Sequence, residues 1–191
     1  MSENGANVLA VGVGGQGIIL LSNVLSEAAF LAGHDVKKSE IHGMSQRGGS
    51  VTSHVRWGKK VYSPVIMDGD ADFIVALEEL EALRYAHSLK PGGRFLVNDF
   101  QVLPASVVSG KAEYPKDVDG RLRDYGQVER IAAQDIAKKT GEMRASNLVL
   151  LGALSRHLDF ADAVWVAAIG KHVREKFREA NLQAFRAGRT G

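Results

Sequence analysis

The feature that most constrains this chain is an apolar run that breaks into glycines and then resumes at helical spacing. It reads Val8-Leu9-Ala10-Val11-Gly12-Val13-Gly14-Gly15-Gln16-Gly17-Ile18-Ile19, continued by Leu21, Val24, Leu25 and Ala28. That pattern predicts a buried strand, a tight turn, and a helix whose amino end faces the turn. Gly12, Gly14 and Gly17 fit the G-x-G-x-x-G spacing of dinucleotide-binding turns. Glycine lets the backbone adopt positive φ and lets a ligand approach closely, while free N–H groups at a helix start favour an anion. The same glycines would equally serve a turn that only packs strand against helix. A nicotinamide site also needs an acid about 20 residues on. Asp35 and Glu40 fall in that region, but Asp35 opens the next strand-like run and Glu40 leads into a loop. No Lys-Ser or Lys-Thr follows the glycines, so the motif is not a nucleotide-hydrolysing P-loop.

The rest of the chain alternates strand-like and helix-like segments. Asp72–Leu77 and Arg94–Asn98 read as buried strands, with a helix through Glu78, Leu80, Leu83 and Tyr85 between them. This βαβ rhythm predicts a mostly parallel sheet. Val51, Ser53, Val55 and Trp57 alternate with Thr52, His54 and Arg56; with Val61–Ile66 they predict a β-ribbon inserted into the sheet, its second strand pushed to an edge by Pro64. Residues 101–127 carry two of the four prolines and are expected to include a short edge strand before a last strand at Val128–Ala132. From Ile136 the pattern is helical. Leu148–Leu154 is apolar enough to be buried all round, and Gly188 reads as a helix C-cap. The expected fold is α/β and Rossmann-like, with the inserted ribbon and a helical C-terminal part, over one domain spanning 1–191.

Composition narrows the chemistry. The chain has no cysteine, which excludes disulfides, thiolate-bound iron–sulfur clusters and cysteine nucleophiles supplied by it. Its net charge of +2 gives no pull toward nucleic acid. The six histidines show no metal-ligand spacing, so no metal site is expected. There is no Gly-x-Ser-x-Gly elbow. No run is apolar enough to span a membrane and Met1–Gly5 is not a signal peptide, so a cytoplasmic protein is expected. Met67-Asp68-Gly69-Asp70-Ala71-Asp72, with Asn98-Asp99 downstream, departs from the Gly-Asp-Gly…Asn thiamine diphosphate pattern and reads as a turn before a strand.

Ser39–Gly49 is polar, glycine-rich and without period, so it reads as a loop. Both it and the first glycine turn follow strands, so both should border the crevice at the carboxyl ends of a parallel sheet. Arg47 offers a fixed, planar charge suited to phosphate or carboxylate, and His42 is its best polar companion.

Taken together, Gly12–Ile18 and Ser39–Val51 resemble the gamma domain of the 2-oxoacid:ferredoxin oxidoreductases. The resemblance continues through Ala76–Arg84, Asn98, Asn147–Ala153 and Asn181–Phe185, covering nearly the whole chain. It implies a subunit, inactive alone, of a complex that oxidatively decarboxylates a 2-oxoacid to an acyl-CoA and passes electrons to ferredoxin, with aryl pyruvates such as indolepyruvate favoured. Thiamine diphosphate, magnesium and iron–sulfur clusters would belong to a larger alpha-type partner subunit, with coenzyme A as co-substrate. Gly12, Gly14, Gly15, Gln16, Gly17 and Arg47 would then face CoA. His42, Gly43, Ser45, Gln46, Gly48, Gly49, Asn98 and Asn147 would line the active-site loop or face the partner. No catalytic residue is expected in this chain. Two other readings remain at this stage: a free-standing nicotinamide- or flavin-linked oxidoreductase, and a subunit that only completes an interface.

Overall fold

A computed structural model describes residues 5–42 and 49–191, apart from the side chain of His42. Six strands form one sheet: β1 (Ala6–Val13), β2 (Asp35–His42), β3 (Ser50–Gly58), β4 (Ala71–Ala76), β5 (Leu89–Asn98) and β6 (Gln127–Ile131), in the order β2-β3-β1-β4-β5-β6. β1, β4, β5 and β6 are mutually parallel; β3 runs antiparallel to both of its neighbours. The inserted ribbon therefore exists, but it is β2 paired with β3 rather than β3 paired with residues 61–66. Ser39–His42 belong to β2 and not to a loop.

Residues 61–66 form no strand because side chains satisfy their backbone instead of a ladder. Arg56 donates to the Ser63 and Val65 carbonyls, and His54 Nδ1 accepts from Ile66 N–H at 3.1 Å. Residues 101–126 likewise hold no strand: they carry short helices α3 (Ala105–Val108) and α4 (Val118–Arg123), and the far edge of the sheet is β6 itself. The Asp68–Gly69 turn before β4 is as expected, with Gly69 at φ +76°.

Both faces of the sheet are covered, which is why β1 reads as a continuous apolar run rather than an alternation. Val8 and Ala10 of β1 face one side with Val55, Trp57, Val75 and Leu96. There they meet α1 (Ile18–Leu31), α6 (Ser146–Ser155), α7 (Asp162–His172) and α8 (Glu175–Thr190). Leu9 and Val11 face the other side with Ile74, Phe95 and Val97, under Ala82 of α2 (Glu79–Arg84) and Leu122 of α4. α6 is buried along its length from Asn147 to Ser155, as its composition predicts.

Gly188 does not cap α8, which continues to Thr190. A Cβ there would lie 2.0 Å from the Val149 carbonyl, and one at Gly152 would lie 2.0 Å from that of Phe185. These two glycines let α6 and α8 touch backbone to backbone. The helix expected from Ile136 begins three residues earlier, as α5 (Ala133–Lys139).

Two consequences position the site. The helix after β1 crosses to one face, while the helix after β4 covers the other. The connections thus diverge between β1 and β4, opening the crevice outside their carboxyl ends where ligands of open α/β sheets bind. The start of β3 reaches the same place, since Ser50 stands opposite Val13.

Candidate functional site at the carboxyl edge of the sheet

The four residues after β1 make the turn that the glycines predict. Gly15 has φ +102° and Gly17, the residue before α1, has φ +85°, values that L side chains adopt only with strain. Space tells the two apart. A Cβ at Gly15 would meet nothing within 4 Å among the described residues, so that backbone is open from outside with respect to them. A Cβ at Gly17 would lie 2.5 Å from Asn147 Nδ2, and one at Gly12 would lie 2.7 Å from Gln16 Oε1. Gly12 and Gly17 therefore make room for the protein's own carboxamides, and Gly15 alone of these three presents free backbone to a ligand.

Those carboxamides staple the carboxyl edge together. Gln16 Oε1 accepts from Val13 N–H at 2.7 Å, and its Nε2 donates to the Leu77 carbonyl at 3.2 Å, bridging the ends of β1 and β4. Asn98 donates to the same carbonyl at 3.1 Å and accepts from Ala133 N–H at 3.2 Å, extending the staple to β5 and α5. Asn147 donates to the Gly17 carbonyl at 3.0 Å, fixing the start of α6 to the start of α1. Asn98 and Asn147 are both buried. Gln16, Asn98 and Asn147, all expected at the site, do lie at the carboxyl edge of the sheet, where in the described structure their side-chain amides hold backbone.

The second loop returns to the same crevice. Gly14 N–H donates to the Gly49 carbonyl at 2.8 Å, so the two glycine segments are joined directly. His42 ends β2, with its backbone opposite Val51. Gly43, Ser45, Gln46, Arg47 and Gly48 lie outside the described residues.

Three glutamates beside this crevice escaped the sequence reading. Glu78, Glu79 and Glu81 are 1%, 4% and 4% exposed, whereas Leu80 and Leu83 of the same stretch are only half-buried. Glu78 caps α2 by accepting from Glu81 N–H, and also accepts from Val102 N–H and the Tyr114 hydroxyl. Burial, reinforced by the Glu78 carboxylate, raises the Tyr114 hydroxyl well above the ordinary phenol value, so Tyr114 remains a donor. Glu79 accepts from Arg130 at 2.6 Å and from Gln101 at 3.0 Å. Burial opposes the Arg130 charge, but hydrogen bonds to Glu79 and Asp119 outweigh it and raise its pKa. Glu81 accepts from the Ser50 hydroxyl at 2.5 Å. The available signal was position: three acids directly following a parallel strand stand at its ligand-binding end.

The acids needed for a nicotinamide ribose are committed elsewhere. Asp35 opens β2 at the opposite end of the sheet and pairs with Lys37, while Glu40 pairs with Lys38. The antiparallel β3 also separates β2 from β1, where a dinucleotide fold places its second parallel strand. A cleft of about 550 Å³ lies at the amino ends of the strands, among Trp57, Phe73, Lys90, Arg94, His157 and Phe160. Its polar rim is paired within the protein, Lys90 with Asp72, Arg94 with Gln127 and His157 with Glu129. It is remote from the glycine turn.

Comparison with known proteins settles the family. The family model for pyruvate ferredoxin/flavodoxin oxidoreductase matches residues 7–191. The chain belongs to this family. It is 40% identical over 187 residues to the indolepyruvate oxidoreductase subunit IorB of Archaeoglobus fulgidus, covering 95% of this chain and 92% of that protein. The crystal structure of a keto/oxoacid ferredoxin oxidoreductase gamma subunit from Geobacter sulfurreducens superimposes with TM-score 0.72 at 26% identity, covering 97% of this chain and 96% of that one. The fold recurs within a longer chain, the 2-oxoglutarate:ferredoxin oxidoreductase of Magnetococcus marinus, with TM-score 0.75 at 22% identity over 99% of this chain and 31% of that one. The resemblance carried by the two glycine segments is thereby borne out, as is the α/β fold. Among the described residues no helix is long and apolar enough to cross a membrane.

Proposed function

We propose that this chain is the small, gamma-type subunit of a cytoplasmic 2-oxoacid:ferredoxin oxidoreductase, one domain over 1–191, whose favoured substrate is indolepyruvate or a related aryl pyruvate. The observation that carries the reading is the relation to the indolepyruvate oxidoreductase subunit, which spans both chains almost end to end. The subunit works with a larger partner that holds thiamine diphosphate, magnesium and iron–sulfur clusters. The donor set of this chain agrees with that division. It has no cysteine to ligate an iron–sulfur cluster.

Within the complex, this chain supplies the CoA side of the reaction. Gly15 presents backbone at the mouth of the crevice, beside the Gly14–Gly49 hydrogen bond. The N–H groups at the start of α1 favour an anionic or carbonyl oxygen there. Arg47 adds a guanidinium that can grip a pyrophosphate by two parallel hydrogen bonds. His42 at the end of β2, with Gly43, Ser45, Gln46, Gly48 and Gly49 after it, completes the surface that faces ligand or partner. Gln16, Asn98 and Asn147 serve this surface indirectly, by fixing the strand and helix ends that shape it.

Co-purification from the native host tests the reading. The chain should emerge with a larger, cysteine-rich subunit, and oxoacid-dependent reduction of an acceptor should require both. A chain that emerges alone and reduces a dye with a 2-oxoacid would contradict it.

A further inference from the structure

The second loop rejoins the sheet at Ser50, and Ser50 is anchored more heavily than a strand start requires. Its hydroxyl donates to Glu81 Oε2 at 2.5 Å and lies 3.3 Å from the Tyr85 hydroxyl, both carried on or just after α2. On its other side the preceding carbonyl, of Gly49, accepts from Gly14 N–H at 2.8 Å, and Ser50 itself stands opposite Val13. Gly49 and Ser50 thus join the stem of the second loop to the first glycine turn and to the helix across the crevice.

Glu81 is a costly choice for such an anchor. Its side chain is 6% exposed, and the cation beside it, Arg84 at 3.1 Å, is 54% exposed. Burying a carboxylate carries a desolvation penalty that a neutral hydroxyl and a half-solvated guanidinium offset only in part, and an apolar contact of equal size would stabilise packing better. What the carboxylate adds is direction: it fixes where the Ser50 hydroxyl points. The reference it transmits is rigid, because α2 is capped by Glu78, which also holds Val102 and Tyr114.

We infer that Glu81 is a positioning residue for the CoA-dependent step, acting through Ser50 on the stem of the second loop; the inference rests on the reading of the crevice proposed above. Glu81 does not touch CoA. It orients a binding surface used equally in ground and transition states, so its loss acts on KM rather than kcat.

The test uses the assembled complex with indolepyruvate, CoA and a ferredoxin or dye acceptor. Glu81→Ala should raise KM for CoA roughly tenfold, the scale of one charge-assisted hydrogen bond. It should leave kcat within about twofold and KM for the oxoacid unchanged. Ser50→Ala should reproduce this split. Glu81→Gln still accepts from Ser50 and should restore most of the CoA affinity. A purely structural role would instead lower thermal stability and move both KM values together. An unchanged KM for CoA in assembled Glu81→Ala, or a parallel rise in both KM values, overturns the inference. If Glu81→Ala does not assemble, a wild-type KM for CoA in Ser50→Ala overturns it equally. Arg47→Ala, measured alongside, separates the two levels of the argument. Normal CoA dependence in that variant removes the crevice reading itself. A CoA defect there, with none on altering Glu81 or Ser50, removes only the role given to Glu81.

Discussion

Replacing Gln16 by alanine isolates the staple that closes the end of the sheet. The side chain makes two hydrogen bonds, and they are not equivalent. The Leu77 carbonyl also accepts from Asn98 at 3.1 Å, so it keeps a partner after Gln16 is lost. Val13 N–H relies on Gln16 Oε1 at 2.7 Å, and truncation orphans it at a half-buried position. Leaving such a donor unpaired costs roughly 1–3 kcal/mol, and partial access to water places this case near the lower end. We therefore predict that Gln16→Ala destabilises the chain by about 1–2 kcal/mol. Urea denaturation measures this directly, with the m-value showing whether the native state stays compact. Gln16→Glu is the informative companion. It can still accept from Val13, but its second oxygen faces the Leu77 carbonyl without a proton to share, so it should recover only part of the loss at neutral pH. A Gln16→Ala midpoint indistinguishable from wild type would refute the claim that this carboxamide completes β1.

Other perturbations follow from the same geometry. Gly188→Ala would set a methyl group 2.0 Å from the Val149 carbonyl and force α6 and α8 apart; it should cost about 1–3 kcal/mol or more, read as a lowered midpoint of thermal unfolding. Glu27 lies 2.8 Å from Lys171, and that hydrogen bond, with His172 also close, holds its carboxyl below the ordinary value of 4.5 despite partial burial. Because the folded value is depressed, the stability it contributes is present above the unfolded pKa and is lost as pH falls from about 4.5 through the folded value. Thermal melts of wild type and Glu27→Gln should accordingly differ at pH 7 and converge in acid; a constant difference across that range would contradict the assignment.

The fold was legible where one physical cause dominated. β1, β4 and β5 announced themselves because strands buried on both faces must be apolar throughout. α6 did so because it is buried all round. The alternation of residues 51–57 placed Val55 and Trp57 on one face and His54 on the other, as found. The reading failed where side chains replaced backbone partners. Residues 61–66 have strand composition, yet Arg56 and His54 satisfy their backbone and no ladder forms. Gly188 had the spacing of a cap, but its reason is an interhelical contact that no local pattern contains. The site was legible in the same measure. Two glycine segments far apart in sequence were expected at one crevice, and the Gly14–Gly49 hydrogen bond joins them. The chemistry of the individual glycines was not legible, since whether a missing Cβ serves a ligand or a neighbouring carboxamide depends on Gln16 and Asn147 in three dimensions. Glu81 was hidden for a related reason. On a helix, a charged residue reads as solvated until its partner Ser50, 31 positions away, is brought beside it.

The most direct test of the central claim, that this chain supplies the CoA side of the reaction, is rapid mixing on the assembled complex. Oxoacid-driven cluster reduction would be followed before and after CoA is added, with gel filtration confirming assembly. If Arg47 grips CoA as proposed, Arg47→Ala loses one charge-assisted contact, worth roughly 1.5–3 kcal/mol, and at subsaturating CoA should slow the CoA-dependent phase by about one to two orders of magnitude while the CoA-independent phase is retained. Gly15→Val, which places a strained side chain on the open part of the turn, should be slower still. Wild-type CoA dependence in a fully assembled Arg47→Ala complex would contradict the account and leave this subunit only an interface role.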